Sequence, residues 1–172
     1  YYNTKQYEVS TGVFKKFNAL FMTGPFAEEG KYLEAMSLYN RSEVYSLDQN
    51  VTYDAIIKLN EYTAAYPDAP RTADARKYSK ELTEKLEKKA FEAAKQYNTI
   101  GEYTRDYTAA IVALDNFMLD YPGSIYKEDA LFYKFDSAYK LAINSVYSKM
   151  NERILSAKKA YETLTSFNEN TK

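Results

Sequence analysis

Residues 100–131, IGEYTRDYTAAIVALDNFMLDYPGSIYKEDAL, contain one complete structural unit of this chain. Pro122 cannot continue a helix, and Ser124 is placed to cap a second helix that begins near Ile125 with Glu128 and Asp129 in its first turn. Before the proline, apolar residues recur at helical spacing, at Ala110, Ile111, Leu114, Phe117, Met118 and Tyr121. The stretch therefore predicts a helix, a tight turn and a second helix.

The same pattern occurs twice more upstream. One copy matches at a constant offset through Ala55, Ile56, Leu59, Tyr62, Tyr66, Pro67, Asp74 and Ala75. A fainter copy contains Ser10, Phe14, Phe17, Phe21, Phe26, Glu28 and Glu29, with Gly24-Pro25 as the break. Amphipathic helices share apolar spacing by necessity, but they do not require a Tyr-Pro turn followed by acidic residues. Copies about 45 and about 55 residues apart predict stacked helical hairpins.

The predicted fold is all-α, an elongated right-handed α-solenoid of about seven helices in one domain, residues 1–172. The hairpin units are expected at about residues 2–45, 50–98, 103–147 and 150–168, and residues 168–172 are expected to fray. A long helix is expected to start at Arg71 or Thr72 and to end at Thr99-Ile100-Gly101. Because the sequence begins with Tyr1, we expect a fragment that lacks an N-terminal anchor and part of a first repeat.

Composition bears on the function class. The net charge is −1 with both signs interspersed, which gives no footprint for nucleic acid. The chain has no histidine and no cysteine, which excludes histidine triads, thiolate nucleophiles and zinc-thiolate sites. Adjacent acidic residues such as Glu28 and Glu29 fall where a helix begins. This position indicates that they stabilise the start of the helix and do not serve in catalysis. We predict a non-enzyme with no catalytic residues, metal or cofactor.

The chain contains 19 tyrosines, and these are the candidates for binding. Tyr66 and Tyr121 are expected to be buried rings that close the hairpin turns. In a solenoid the first helix of each hairpin lines the concave side, where aromatic residues can anchor a bound polypeptide. The strip predicted to face a peptide or partner consists of Tyr32, Tyr39, Asn40 and Tyr78.

The run Ala110-Ile111-x-x-Leu114, with the terminal Pro122, resembles the second helix of a tetratricopeptide repeat, although Phe117 stands where a small residue is usual. More specifically, the chain resembles the BamD-like lipoproteins of outer-membrane β-barrel assembly, also labelled putative DNA-uptake lipoproteins. The residues that carry this likeness are Ser46-Leu47-Asp48-Gln49, Ala65-Tyr66-Pro67-Asp68, Leu82, Lys85-Leu86, Ala90, the run from Tyr107 to Pro122, Tyr126, Ala142 and Asn144-Ser145-Val146.

The resemblance implies a tetratricopeptide-like scaffold on the periplasmic face of a Gram-negative outer membrane, attached only through an N-terminal lipid anchor that would lie upstream. The partners it implies are the membrane-embedded barrel-assembly protein, other lipoproteins of that complex and unfolded outer-membrane protein segments. The alternative is an envelope or peptidoglycan-associated lipoprotein that serves as a protein-protein interaction module. An incomplete first repeat would leave the substrate-binding part of such a protein incomplete.

Overall fold

A computed structural model of the chain describes residues 1–167. Within those residues the protein has seven α-helices and no β-strand, which confirms the predicted all-α class and helix number. The predicted fraying of residues 168–172 lies outside the described part. The helices are α1 (Tyr7–Leu20), α2 (Ala27–Arg41), α3 (Asn50–Ala65), α4 (Thr72–Thr104), α5 (Thr108–Asp120), α6 (Lys127–Ile143) and α7 (Tyr147–Phe167).

The chain divides into two compact units, Tyr1–Leu86 and Glu87–Lys172. In the first unit α1 packs on α2 and α2 on α3, and in the second α5 packs on α6 and α6 on α7. This packing of successive helices is that of a tetratricopeptide-like fold, as predicted. That the whole chain forms one domain remains a prediction.

The end of the first helix in each repeat copy has one conformation. At Phe21, Tyr66 and Tyr121 φ lies between −132° and −121° and ψ between 65° and 67°. Each donates its backbone N–H to the carbonyl four residues earlier at 2.8 or 2.9 Å, and its ring lies 5.0 to 5.6 Å from the aromatic ring of that same residue. The three copies therefore share their turn geometry as well as their sequence.

The core positions of the repeat also agree between copies. Ala55 and Ala110 are fully buried, and Ser10 takes their place in the first copy at 1% exposure. On the second helix of each hairpin, Ala75 and Ala130 are fully buried. Gly30 is the equivalent residue in the first copy. It has no side chain there, and a Cβ would lie 2.5 Å from the Asn18 Oδ1 atom. Small residues are required wherever the two helices of a hairpin approach closely.

Burial corrects the expectation for the tyrosines at the turns. Tyr66 and Tyr121 are only partly buried, whereas Tyr62, one helical turn before Tyr66, is fully buried. Phe117 is the equivalent of Tyr62 in the second unit and is 3% exposed. Because Tyr66 and Tyr121 lie just beyond a helix end, one side of each ring stays open to solvent. In these two copies the buried aromatic ring is the one inside the helix.

Several helix boundaries differ from those predicted. The long helix continues through Gly101 to Thr104, because Gly101 serves close packing and does not end the helix: a Cβ there would lie 2.4 Å from the Tyr107 ring. Ser124 does not cap the next helix directly. Its Oγ accepts the backbone N–H of Tyr126 at 3.2 Å, and the helix begins one residue later at Lys127.

The boundary between the last two predicted hairpin units also differs. These units were expected to end at about residue 147 and to begin at about residue 150, whereas α6 ends at Ile143 and α7 begins at Tyr147. Asn144 donates its side-chain amide to the Lys140 carbonyl at 2.8 Å, and Ser145 donates its hydroxyl to the Leu141 carbonyl at 2.5 Å. These side chains hydrogen-bond to carbonyls in the last turn of α6. Side-chain bonds of this kind compete with the backbone hydrogen bonds of a helix, and α6 ends where they occur.

Candidate protein-binding site

The four predicted binding residues lie in the first unit, on two helices. Tyr32, Tyr39 and Asn40 lie on α2, and Tyr78 lies on α4. Both α2 and α4 are the second helix of their predicted hairpin. The prediction that the four residues lie on first helices was therefore wrong. The residue spacing shows which face of a helix is apolar, but both helices of a hairpin have such a face, and only their packing shows how the faces are used.

The tyrosine rings of this region contact one another and the core. The ring centroids of Tyr39 and Tyr78 lie 4.6 Å apart, within the range of favourable aromatic pairs. Tyr32 packs on the buried Tyr62 at 5.3 Å. Tyr2 is partly buried against the same core. We call Tyr2, Tyr32, Tyr39 and Tyr78 the tyrosine cluster.

Tyr39 is held in place by a carboxylate on α4. Its hydroxyl donates to the Glu81 Oε2 atom at 2.8 Å. Burial first, and then the hydrogen bond and negative charge of Glu81, raise the pKa of Tyr39 to about 12. The hydroxyl therefore stays protonated through the physiological range. This bond fixes the ring against Tyr78, so the α2–α4 part of the cluster is preorganised.

Tyr32 belongs to a second polar group around Arg71. The guanidinium carbon of Arg71 lies 5.1 Å from the centre of the Tyr32 ring, a cation-π arrangement. Arg71 Nη1 also lies 3.7 Å from Glu28 Oε2. The other carboxylate oxygen of Glu28 accepts a hydrogen bond from the Tyr62 hydroxyl. Burial, followed by the neighbouring Tyr78, raises the pKa of Tyr32. Tyr32 therefore connects the cluster to the first turn of α2.

Asn40 and Tyr2 complete the region. Asn40 is exposed and donates its side-chain amide to the Met36 carbonyl at 2.7 Å. Burial, followed by Tyr7, raises the pKa of Tyr2, and a hydrogen bond with Asn40 opposes that rise. Tyr2 was not among the predicted site residues. It precedes α1, where no helical periodicity marks a face, so no pattern along the chain pointed to it.

The structure thus brings the four predicted residues together, with Tyr2 added. The cluster offers partly buried aromatic rings and phenolic hydroxyls, and Asn40 adds one exposed amide; these groups suit an extended polypeptide better than a small charged ligand. That these residues bind a partner remains a prediction. The second unit has a different aromatic arrangement: Tyr133, the repeat equivalent of Tyr78, lies 6.2 Å from Phe91, which stacks on Tyr126 at 5.1 Å.

The acidic pairs lie where the sequence predicted. Glu28 and Glu29 are in the first turn of α2, and Glu128 and Asp129 in the first turn of α6. Among residues 1–167, no group of three or more histidine, cysteine, aspartate or glutamate side chains is arranged to hold a metal ion. No helix in the described part of the chain is both long and apolar enough to span a membrane.

Comparison with known protein families identifies the class. The outer membrane lipoprotein family YfiO matches residues 1–166. The chain therefore belongs to this family of outer-membrane lipoproteins. The match confirms the BamD-like resemblance seen in the sequence, but it gives no support to the DNA-uptake label. No curated protein sequence matches the chain significantly.

Proposed function

We propose that this protein is a non-catalytic scaffold of the outer-membrane β-barrel assembly machinery, acting at the periplasmic face of that membrane. Membership of the outer membrane lipoprotein family supports the location. The helical-hairpin architecture supports the role, because stacked hairpins present extended surfaces for partner proteins. The proposed partners are the membrane-embedded barrel-assembly protein, other lipoproteins of the complex and unfolded barrel segments.

The observation that carries the binding part of this proposal is the tyrosine cluster. Tyr39 and Tyr78 are in contact at 4.6 Å and fixed by the Glu81 hydrogen bond, so a partner would meet rings that are already ordered. Aromatic residues that are preorganised in this way are typical binding anchors, and the loss of one commonly costs about 2 kcal/mol or more. We therefore propose that an extended partner segment binds across α2 and α4 at this cluster.

A photocrosslinking experiment on the full-length lipoprotein tests the role. A photoreactive amino acid replaces Asn40, whose exposed side chain lies beside the tyrosine cluster. Crosslinking in envelope membranes is expected to yield an adduct with the barrel-assembly protein or with an unfolded barrel precursor. Adducts with peptidoglycan-associated proteins alone would instead support the alternative, an envelope interaction module outside barrel assembly. The same residue placed at exposed Lys77 controls for chance collision.

A binding measurement tests the cluster itself. Tyr78→Ala is compared with Tyr133→Ala, the change at the equivalent repeat position in the second unit, where the tyrosine is also partly buried. The two substitutions remove the same group from positions that are both partly buried, so we expect similar losses of stability. Only Tyr78→Ala is expected to weaken binding of a barrel-derived peptide, by roughly 30-fold for a loss of about 2 kcal/mol. Equal affinity of the two variants would contradict the assignment.

A further inference from the structure

The turn between α1 and α2 exposes an unusual number of large apolar side chains. Leu20, Phe21, Met22 and Phe26 all lie within residues 20–26, and each is between 55% and 78% exposed. We call these four residues the apolar turn. Soluble proteins seldom group exposed apolar side chains so closely unless the patch contacts a partner or a membrane.

The fold does not require this composition. Phe21 is the ring that ends α1 and packs on Phe17, as its equivalents do in the other copies. The equivalents of Leu20 are Ala65 and Asp120, and the equivalents of Met22 are both prolines. The same backbone turn is thus built in the other two copies without large apolar side chains at these positions.

Phe26 differs from its repeat equivalent in the same way. Tyr126 stacks on the buried Phe91 with ring centroids 5.1 Å apart. Phe26 occupies the corresponding place before α2 and is 64% exposed. The aromatic ring at this position therefore packs against the core in one unit and is exposed in the other.

Basic side chains lie beside the apolar turn. A cavity of about 390 Å³ in the first unit is lined by Met22 together with Lys15, Lys31 and Lys58. The carboxylates that share this cavity are engaged. Glu34 is buried and accepts the side-chain amide of Asn18 at 2.6 Å. Glu61 lies 2.7 Å from Lys58.

Lys15 and Lys31 remain available to an external anion. Among residues 1–167, neither has a carboxylate within 4.0 Å of its amine. Lys31 lies 5.3 Å from the centre of the Tyr66 ring, a contact that leaves its charge uncompensated. Exposed apolar groups bordered by uncompensated lysines match the two layers of a phospholipid surface, acyl chains beneath anionic headgroups.

We propose that the apolar turn inserts into the interfacial layer of a phospholipid bilayer, with Lys15 and Lys31 against anionic headgroups. The occupant is a membrane surface because the lysine rim complements anionic lipid and because the family to which the chain belongs is located at the outer membrane. The contact would be a second attachment, independent of any lipid anchor. It also does not depend on the scaffold role or on the tyrosine cluster.

Tryptophan fluorescence tests where the chain meets lipid. The chain contains no tryptophan, so Met22→Trp introduces a single probe, and Leu119→Trp provides a control at 77% exposure in the second unit. Both variants are mixed with phosphatidylglycerol/phosphatidylethanolamine vesicles. The Met22→Trp emission is expected to shift to the blue and to be quenched by brominated acyl chains, whereas the control stays unchanged. No shift at position 22, or equal shifts at both positions, would overturn the proposal.

Vesicle co-sedimentation tests the energetics. Leu20→Ser with Met22→Ser is compared with Leu119→Ser with Leu155→Ser, pairs of similar exposure. The first pair is expected to reduce vesicle binding roughly tenfold or more, and the second to leave it unchanged. Circular dichroism confirms that both variants are folded. If the first pair binds vesicles as well as the unmodified chain, the turn does not insert.

Neutralising the lysines tests whether their charges contribute to vesicle binding. Lys15→Gln and Lys31→Gln are each expected to lower the affinity for anionic vesicles roughly fivefold, and Lys77→Gln, on an exposed face of α4, to leave it unchanged. Equal losses at all three lysines would refute a specific role of Lys15 and Lys31.

A photoreactive residue at position 22 of the full-length lipoprotein should crosslink to lipid in envelope membranes. A crosslink to protein alone would overturn the proposal in favour of a protein contact.

Discussion

Replacing Tyr62 tests how the first unit is stabilised. Tyr62 is fully buried on α3, with Tyr32 and Tyr66 at ring-centroid distances of 5.3 and 5.6 Å. Tyr62→Ala removes the entire ring and leaves a cavity that the surrounding helices fill only in part. The expected loss of unfolding free energy is about 3–5 kcal/mol, the range for buried aromatic residues replaced by alanine.

Two matched variants divide this loss into its parts. Tyr62→Phe keeps the ring and introduces the residue that the second unit uses at the equivalent position, Phe117. It leaves Glu28 without the tyrosine hydroxyl but still 3.7 Å from Arg71, so we expect a cost of about 1–2 kcal/mol. Tyr66→Ala removes a half-buried ring and is expected to cost about 1–1.5 kcal/mol, half of a full transfer free energy.

Urea unfolding followed by far-UV circular dichroism measures these differences, and hydrogen exchange of the α3 amides assigns them to the first unit. The reasoning is refuted if Tyr62→Ala costs less than Tyr66→Ala, because burial would then not determine the loss. It is also refuted if Tyr62→Phe costs as much as Tyr62→Ala. In that case the hydroxyl, and not ring packing, would carry the stability.

Two further predictions follow from close packing and from titration. Gly101→Ala is expected to destabilise the protein by about 1–3 kcal/mol, because its Cβ would lie 2.4 Å from the buried Tyr107 ring. Gly12→Ala has open space around its Cβ and is expected to stabilise the protein by about 0.5–1 kcal/mol. Thermal unfolding compares the two variants, and equal effects would contradict the role of packing at Gly101. Because the folded-state pKa of Tyr39 is raised to about 12 from 10.0, its contribution to stability is full below pH 10 and is lost as the pH rises through 12. Urea unfolding of the unmodified chain and of Tyr39→Phe between pH 9 and about pH 12 should show a steeper decline for the former, and parallel declines would refute the raised pKa of Tyr39.

The fold could be predicted from the sequence because its signals are local and repeated. Apolar spacing, the prolines after Tyr66 and Tyr121 and the acidic first turns specify helices and breaks through interactions within a few residues. Three aligned copies reinforce one another. The errors fell where a local signal competed with packing, as at Gly101, which is a helix terminator by propensity and a packing contact in fact.

The candidate site was only partly predictable. Tyr32, Tyr39 and Tyr78 could be chosen because tyrosine is an amphipathic residue at helical spacing. Their mutual contact, the Glu81 hydrogen bond and the inclusion of Tyr2 depend on residues distant in the chain. No periodicity records such distances, so the sequence named candidates without showing how they meet.

The sequence alone determined the all-α class, the three repeat copies and the likeness to outer-membrane lipoproteins, because these depend on residue types and spacing along the chain. Only the tertiary structure decided which aromatic ring at the two Tyr-Pro turns is buried, since Tyr62 and Tyr66 lie one helical turn apart and both suit a core. It also decided that Phe26 is exposed while Tyr126 stacks on Phe91. Burial is a property of neighbours contributed by other helices, and a local pattern does not contain them.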